Sequence, residues 1–169
     1  MAIPNTKRMK KHLILCLCLA GLLITSCMKS GPAISESEKS EIEKQVSEQW
    51  TNISAVVEKS DAVAYGEFFK DNEFLGMTSQ GTAFKDWKTY LDTVSVWFGN
   101  RTGSKMEQKE LQLNVLSKRL LMLNQKSVFM ANFKDSSSLK INHVVSFLFK
   151  KQDEKWSIVF GHESWNPAL

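Results

Sequence analysis

The sequence predicts an α+β fold, in which about three helices near the N-terminus pack on an antiparallel sheet formed by the rest of the chain. In the first half, apolar residues recur at spacings of three and four and the segments are bounded by capping residues, which is typical of amphipathic helices. After Gly103, β-branched and aromatic residues alternate with polar ones, which is typical of strands. Helices followed by consecutive strands are the element order of an α+β domain.

The first two helices are predicted from apolar spacing and one capping residue. The apolar positions of the first helix are Ile42, Val46, Trp50 or Gln49, Ile53 and Val57. Ser60 and Asp61 interrupt this pattern. Asp61 is well placed to cap a second, shorter helix whose Tyr65, Phe68 and Phe69 face the core, and we interpret it as a cap and not as a catalytic residue.

Two short strands and a third helix are predicted next. Residues 74–77 and 82–84 flank the turn-like sequence TSQG. Asp86 can cap the third helix, which Gly99 and Asn100 close. The core-facing residues of this helix are Trp87, Tyr90 or Leu91, Val94 and Trp97 or Phe98.

The remaining strands are predicted as an antiparallel meander. They are residues 111–115, 128–133, 141–149 and 156–164. The turns that separate the last three are predicted at residues 136–138 and 151–154, where small and charged residues cluster.

The N-terminus has the features of a signal peptide. Lys7, Arg8, Lys10 and Lys11 precede an uninterrupted apolar run of 12 residues, which is too short to span a bilayer as a helix. The following sequence ITSC, which ends at Cys27, resembles the lipobox of bacterial lipoproteins, in which the cysteine is acylated and the chain is cut before it. The alternative is an ordinary signal peptide with a cysteine that happens to lie at the cut.

Cleavage before Cys27 divides the chain into a signal peptide over residues 1–26, a flexible tether over residues 27–37 and a domain over residues 38–169. The predicted partner is then a membrane, reached through the lipid anchor. Met28 stands where an aspartate would retain a lipoprotein at the inner membrane of enteric bacteria. We therefore expect a location in the bacterial cell envelope, on the outer membrane facing the periplasm if the host is Gram-negative.

The mature chain has no excess of positive charge. Loss of the leader lowers Lys plus Arg from 22 to 18, which equals the 18 Asp plus Glu, so the formal net charge falls from +4 to zero. Nucleic acid is therefore not a predicted partner, because no basic surface remains to neutralise phosphates. The mature chain also keeps one cysteine, so a core and not an internal disulfide must stabilise the domain.

Two segments of the chain are informative about its family: KSDAVAYGEFF, followed by a short strand and Gly81, and the closing KWSIVFGHES. With the order of the elements, they resemble the nuclear transport factor 2-like superfamily, in particular the SnoaL-like and ketosteroid-isomerase-like domains of bacteria. The resemblance covers residues 42–164 and implies a cone-shaped α+β roll, in which a strongly bent sheet wraps against helices and a pocket opens at the wide end. It also implies a homodimer as one kind of partner, since such domains often dimerise through the sheet.

The acids of ketosteroid isomerases are not found at the matching positions. Those enzymes need a carboxylate base on the first short strand, and a tyrosine and a protonated aspartic acid deep in the pocket. Matching by Asp61 and Gly81 places Met77 at the position of the base and Ile53 near that of the tyrosine. The strand that would bear the second acid, INHVVSFLF, contains no carboxylate.

A histidine pair is predicted on the inner faces of the last two strands. Side chains alternate across a strand, which places His143 and Phe147 on one inner face and Phe160 and His162 on the next. A hairpin closed symmetrically at residues 152–153 pairs His143 with His162. We expect at least one imidazole to titrate below its ordinary pKa of about 6.5, because an apolar cone opposes charging both.

Three interpretations of this pair remain open: a hydrogen-bonded structural pair, a polar handle for a bound ligand, and catalysis or metal ligation. Two histidines are too few for zinc, and Glu163 is predicted to point to the other face, so no metal site is predicted. No phosphate loop, CxxC pair or HExxH motif occurs, and no cofactor is predicted. The pocket candidates are His143, His162, Phe147, Phe160, Tyr65 and Trp87.

Two functions of different classes follow from these residues. The first is a non-catalytic domain that binds a small apolar or amphipathic molecule in the cone. The alternative is an enzyme of the cyclase, hydratase or isomerase type, with His162 as general base and His143 as its partner, since a histidine with a pKa near neutral suits that role.

Overall fold

The computed structural model describes residues 33–69 and 73–168, and within them it confirms the α+β class. This part of the chain forms three helices and six strands. The helices are α1 (Glu36–Lys59), α2 (Ala62–Gly66) and α3 (Trp87–Gly99). The strands are β1 (Gly76–Ser79), β2 (Thr82–Phe84), β3 (Arg101–Ser117), β4 (Leu120–Phe133), β5 (Ser138–Gln152) and β6 (Lys155–Pro167).

Helix α1 begins earlier than the predicted end of the tether at Ser37. Ser35 and Glu38 form a capping box, in which the Glu38 N–H donates to Ser35 Oγ at 3.2 Å and the Ser35 N–H donates to Glu38 Oε2 at 2.9 Å. Two reciprocal hydrogen bonds satisfy N–H groups that a tether would leave to water, and the helix therefore starts at Glu36. The predicted signal peptide, Cys27 and tether residues 27–32 lie outside the described residues.

The predicted caps of the other two helices are confirmed. Asp61 Oδ1 accepts from the Ala64 N–H at 3.0 Å, and Asp86 Oδ1 accepts from the Thr89 N–H at 2.8 Å. Asp61 is thus the N-cap of α2, which is a structural role.

The six strands form one strongly curved, open sheet in the order β2-β1-β6-β5-β4-β3. All neighbours are antiparallel except β1 and β6, which are parallel, so the expectation of a wholly antiparallel sheet is wrong at this one pair. The connection from β1 to β6 passes through α3 and four strands, and a crossover of that length permits parallel pairing.

The β5–β6 hairpin closes one residue later than predicted and contains a β-bulge. Asp153 and Glu154 form the turn, and both have positive φ angles of 46° and 64°. Phe149 pairs with Ile158 but Leu148 pairs with Phe160, so Val159 is an extra residue on β6. The inner face of β6 is therefore Trp156 and Ile158 before the bulge, and Gly161, Glu163 and Trp165 after it.

Helix α1 covers the concave face of the sheet. Its buried residues Ile42, Val46, Trp50 and Ile53 pack in one cluster with apolar side chains of β4, β5 and β6. Trp50 and Phe147 lie with ring centroids 5.6 Å apart. The predicted apolar face of the first helix is therefore confirmed.

In residues 33–69 and 73–168, no helix combines the length and the apolar composition that a span requires.

Candidate ligand pocket

A cavity of about 340 Å³ lies between the three helices and the concave face of the sheet. Its wall is largely aromatic. The aromatic lining residues are Trp50, Tyr65, Phe84, Tyr90, Trp97, Phe98, Phe129, Phe147 and Trp165. Val57, Val94 and Val145 add aliphatic surface, so the cavity suits the apolar part of a small molecule.

Four side chains in the cavity wall form what we call the carboxylate network: Tyr65, Tyr90, Ser79 and Glu163. Tyr90 Oη donates to Glu163 Oε1 at 2.9 Å, and Ser79 Oγ donates to Glu163 Oε2 at 3.1 Å. The hydroxyls of Tyr65 and Tyr90 lie 3.3 Å apart. Because the single hydroxyl proton of Tyr90 is directed to Glu163, Tyr65 must be the donor in the second bond.

Burial perturbs the titration of this network. It raises the pKa of the Glu163 carboxyl, and the hydrogen bonds from Tyr90 and Ser79 lower that pKa in part. It also raises the pKa of Tyr65 and of Tyr90 well above the ordinary value, and the nearby Glu163 charge adds to both shifts. Both tyrosines therefore stay protonated at neutral pH and act as hydrogen-bond donors.

His143 is the second titratable group of the cavity. Burial lowers the pKa of its imidazole from the ordinary 6.5 to about 4, so the ring is neutral at physiological pH. Its Nδ1 is buried and has no hydrogen-bond partner, and neither has the Oγ of Ser127, which lies opposite on β4. An unpaired buried N–H is costlier than an unpaired lone pair, which favours the tautomer with the proton on Nε2.

The predicted pairing of His143 with His162 is wrong. His143 pairs with Trp165, whereas His162 pairs with Ser146 and is exposed on the convex face, where its Nδ1 lies 2.6 Å from Thr78 Oγ1. The bulge at Val159 is the physical reason, because one extra residue moves every later side chain of the strand to the opposite face.

The same bulge brings Glu163 to the inner face, and the prediction that it points outward is also wrong. Glu163 pairs with Val145 on β5, so it lies diagonally from His143 across the concave surface. Gly161 was the one sequence signal for this change, because an isolated glycine in a strand often marks a bulge or a close backbone contact.

The remaining predicted pocket residues divide between the two sides of the domain. Tyr65 and Phe147 line the cavity, as predicted. Phe160 pairs with Leu148 beyond the bulge and belongs to the outer face, so its predicted place in the pocket is wrong. Trp87 packs against the core beside Gly66 and does not line the cavity, because it stands at the first turn of α3.

The positions matched to the isomerase acids are apolar and buried. Ile53 lines the cavity, and Met77 packs beneath Gly161. The carboxyl group of the cavity comes instead from β6, the tyrosines from α2 and α3, and the histidine from β5. Tyr90 and Ser79 were missed as site residues because their partner, Glu163, was assigned to the other face.

Arg101 is a buried cation behind one wall of the cavity. Its guanidinium carbon lies 4.0 Å from the ring centroid of Phe98, 4.4 Å from that of Trp97 and 5.4 Å from that of Phe129. Burial lowers its pKa to about 10, so it remains charged at neutral pH. Nε and Nη2 are buried without a hydrogen-bond partner, and the three rings are the main stabilising contacts of the charge.

Among the described residues, no group of three or more His, Cys, Asp and Glu side chains is arranged to hold a metal ion. The two histidines lie on opposite faces of the sheet and cannot share one metal.

Solved structures with the same architecture identify the fold. The hexachlorocyclohexane dehydrochlorinase LinA-type3 from Novosphingobium barchaimii superposes with a TM-score of 0.65 at 14% identity, covering 79% of this chain and 94% of that one. A protein assigned as a scytalone dehydratase from Novosphingobium aromaticivorans gives 0.70 at 8% identity, covering 78% and 89%. A nuclear transport factor 2-like protein from Salmonella enterica serovar Typhimurium gives 0.68 at 15% identity, covering 78% and 94%. The fold is that of the nuclear transport factor 2-like superfamily.

Residues 44–168 match the family model of the SnoaL-like domain. The chain therefore belongs to the SnoaL-like domain family, and the predicted resemblance is confirmed. No curated protein sequence matches the chain.

Proposed function

We propose that the cavity binds a small, largely apolar molecule that carries one polar group. The observation that carries this proposal is an aromatic cavity of about 340 Å³ whose wall contains the carboxylate network among a small number of polar side chains. The apolar wall would provide the affinity, and the network would fix the orientation of the ligand.

Filling the cavity should weaken binding. Val94 lines the cavity from α3, whereas Val96 on the same helix is 68% exposed. In calorimetric titrations with 1-naphthalenemethanol, Val94→Trp should weaken binding at least about tenfold because the indole occupies the space of the probe. Val96→Trp is the matched control and should bind as the unchanged protein does. Equal affinity in all three proteins would contradict binding in the cavity.

The second candidate function is an enzyme that removes a small group from its substrate. Glu163 and His143 both line the cavity, and elimination needs a base for the proton and a donor for the leaving group. In this proposal the Glu163 carboxylate removes a proton from the carbon next to the one that bears the leaving group, and the electron pair of that C–H bond forms a carbon–carbon double bond. The bond to the leaving group breaks as the Nε2–H of the neutral His143 ring donates a hydrogen bond to the departing group. His162, on the convex face, has no part in it.

Two of the solved structures bear on this candidate. One belongs to a dehydrochlorinase and one to a protein assigned as a dehydratase, which are both elimination enzymes by name. Likeness at these identities concerns the fold, so the chemistry has to be supplied by the residues of this chain. Mass spectrometry of compounds recovered after binding separates the two functions. A compound that has lost water or halide, and that loses it only when Glu163 is present, identifies an enzyme. A compound recovered unchanged identifies a binding domain.

We also propose that the domain is displayed on a membrane through an acylated Cys27. The motif ITSC behind a basic and apolar leader supports this proposal. Cells grown with an alkyne-tagged fatty acid should incorporate the label into the protein, and Cys27→Ala should lose it completely. Cys18→Ala, which changes a cysteine inside the apolar run, is the control and should keep the label. Label retained by Cys27→Ala would contradict lipidation at this residue.

A further inference from the structure

We propose that the ligand is an amphipathic amine, whose ammonium group binds the Glu163 carboxylate while its apolar body fills the aromatic part of the cavity. This inference rests on the proposed function and specifies the chemical class of the ligand.

The charge of the cavity wall is the first argument. Among the described residues that line the cavity, Glu163 is the single acidic side chain, and no lysine or arginine accompanies it. His143 is held neutral by burial and does not balance the carboxylate. A partly buried carboxylate that lacks a cationic partner in the protein is stabilised when a ligand supplies one.

The hydrogen bonds of Glu163 are the second argument. Each carboxylate oxygen accepts one bond from the protein, from Tyr90 and from Ser79, and each keeps a further lone pair. Tyr65 donates to Tyr90, so its oxygen also faces a ligand as an acceptor. The network thus presents acceptors, and a group with several N–H donors satisfies them better than a hydroxyl, a carbonyl or a carboxylate does.

The aromatic rings around the network are the third argument. The ring centroids of Tyr65 and Tyr90 lie 6.4 Å apart, and those of Phe84 and Tyr90 lie 5.4 Å apart. All three residues line the cavity at the end where Tyr90 holds Glu163. Faces of aromatic rings attract cations, and desolvated sites strengthen the attraction.

The positive charge of Arg101 makes the two ends of the cavity electrostatically different. Its charge lies behind Trp97, Phe98 and Phe129 and already uses the faces of these rings for its own stabilisation. The positive charge of Arg101 repels a second cation from this wall, so we expect the apolar body of the ligand to pack there. The ammonium group is thereby directed to the Glu163 end.

Three probes with the same naphthalene body test the inference: 1-naphthylmethylamine, 1-naphthalenemethanol and 1-naphthoic acid. Calorimetric titration of the full-length protein at pH 7.5 should show the amine binding about tenfold or more tighter than the alcohol, because a charge-assisted hydrogen bond replaces a neutral one. The acid should bind weakest. Glu163→Gln keeps the shape of the side chain, and it should reduce the affinity for the amine to that for the alcohol.

The possible results separate this inference from the function on which it rests. Equal binding of amine and alcohol by the unchanged protein overturns the amine inference and leaves a ligand pocket. Tightest binding of the acid also overturns it, and indicates that the charge of Arg101 dominates. If none of the three probes binds, both the inference and the proposed pocket are overturned. Should Glu163→Gln fail to fold, the ratio of amine to alcohol affinity in the unchanged protein decides alone.

Discussion

Replacing Gly161 by alanine should lower the free energy of unfolding by about 3 kcal/mol, the upper part of the range for overpacked cores. A Cβ at this position would lie 2.3 Å from Met77 Sδ and 2.6 Å from Phe147 Cε1. Both side chains are 1% exposed, and although the thioether of Met77 can turn, the ring of Phe147 is packed against Trp50 with ring centroids 5.6 Å apart. Urea denaturation with circular dichroism measures the change.

Gly103→Ala is the matched control for this substitution. Gly103 also lies in a strand of the sheet, but a Cβ there meets no atom within 4 Å. Its replacement should change stability by less than about 0.5 kcal/mol. A similar loss in both variants would mean that glycine flexibility in the strands, and not the close contact at the bulge, accounts for the effect.

Acidification should destabilise the protein through His143. Burial lowers the folded-state pKa of this imidazole from 6.5 to about 4, so between these values the unfolded chain binds more protons than the folded one. Stability associated with His143 is fully present above pH 6.5 and is lost as pH falls toward 4. The loss should reach about 2 kcal/mol, less than the complete shift would give because solvent reaches part of the ring.

Titration of Glu163 changes the stability in the opposite direction, and its contribution must be separated from that of His143. Its pKa is raised in the folded state, so protonation of its carboxyl favours folding as pH falls through the range above 4.5. The contribution of Glu163 cancels when the unchanged protein is compared with His143→Gln, because both proteins contain Glu163.

Urea denaturation between pH 7.5 and pH 4 should therefore show the stability difference between the unchanged protein and His143→Gln shrinking by about 2 kcal/mol as pH falls. His162→Gln is the matched control, since that imidazole is exposed on the convex face. An equal change of pH dependence in both variants, or in neither, would contradict the assignment to the buried ring.

The bulge at Val159 links these predictions to the proposed function. It places Gly161 against Phe147, and it turns Glu163 and Trp165 toward the cavity. One extra residue on β6 thus determines both the packing of the core and the polar group that a ligand would meet.

The sequence by itself determined the fold class and the order of its elements. The spacing of Ile42, Val46 and Ile53 predicted the face by which α1 packs on the sheet, and Asp61 and Asp86 predicted where two helices begin. These features depend on residues within a few positions of one another, so local patterns were sufficient. Tyr65 and Phe147 were assigned to the pocket correctly for the same reason.

The tertiary structure alone decided the chemistry of the cavity. Strand alternation assigned His162 to the pocket and Glu163 to the outer face, and both assignments were reversed by the bulge. A bulge forms where an extra residue improves the fit between β6, β5 and the side chains beneath them, and that fit depends on residues far apart in the chain, such as Met77, Phe147 and Gly161. Because a shift of one residue exchanges the two faces of a strand, the identity of the titratable groups in the cavity follows from long-range packing and not from alternation.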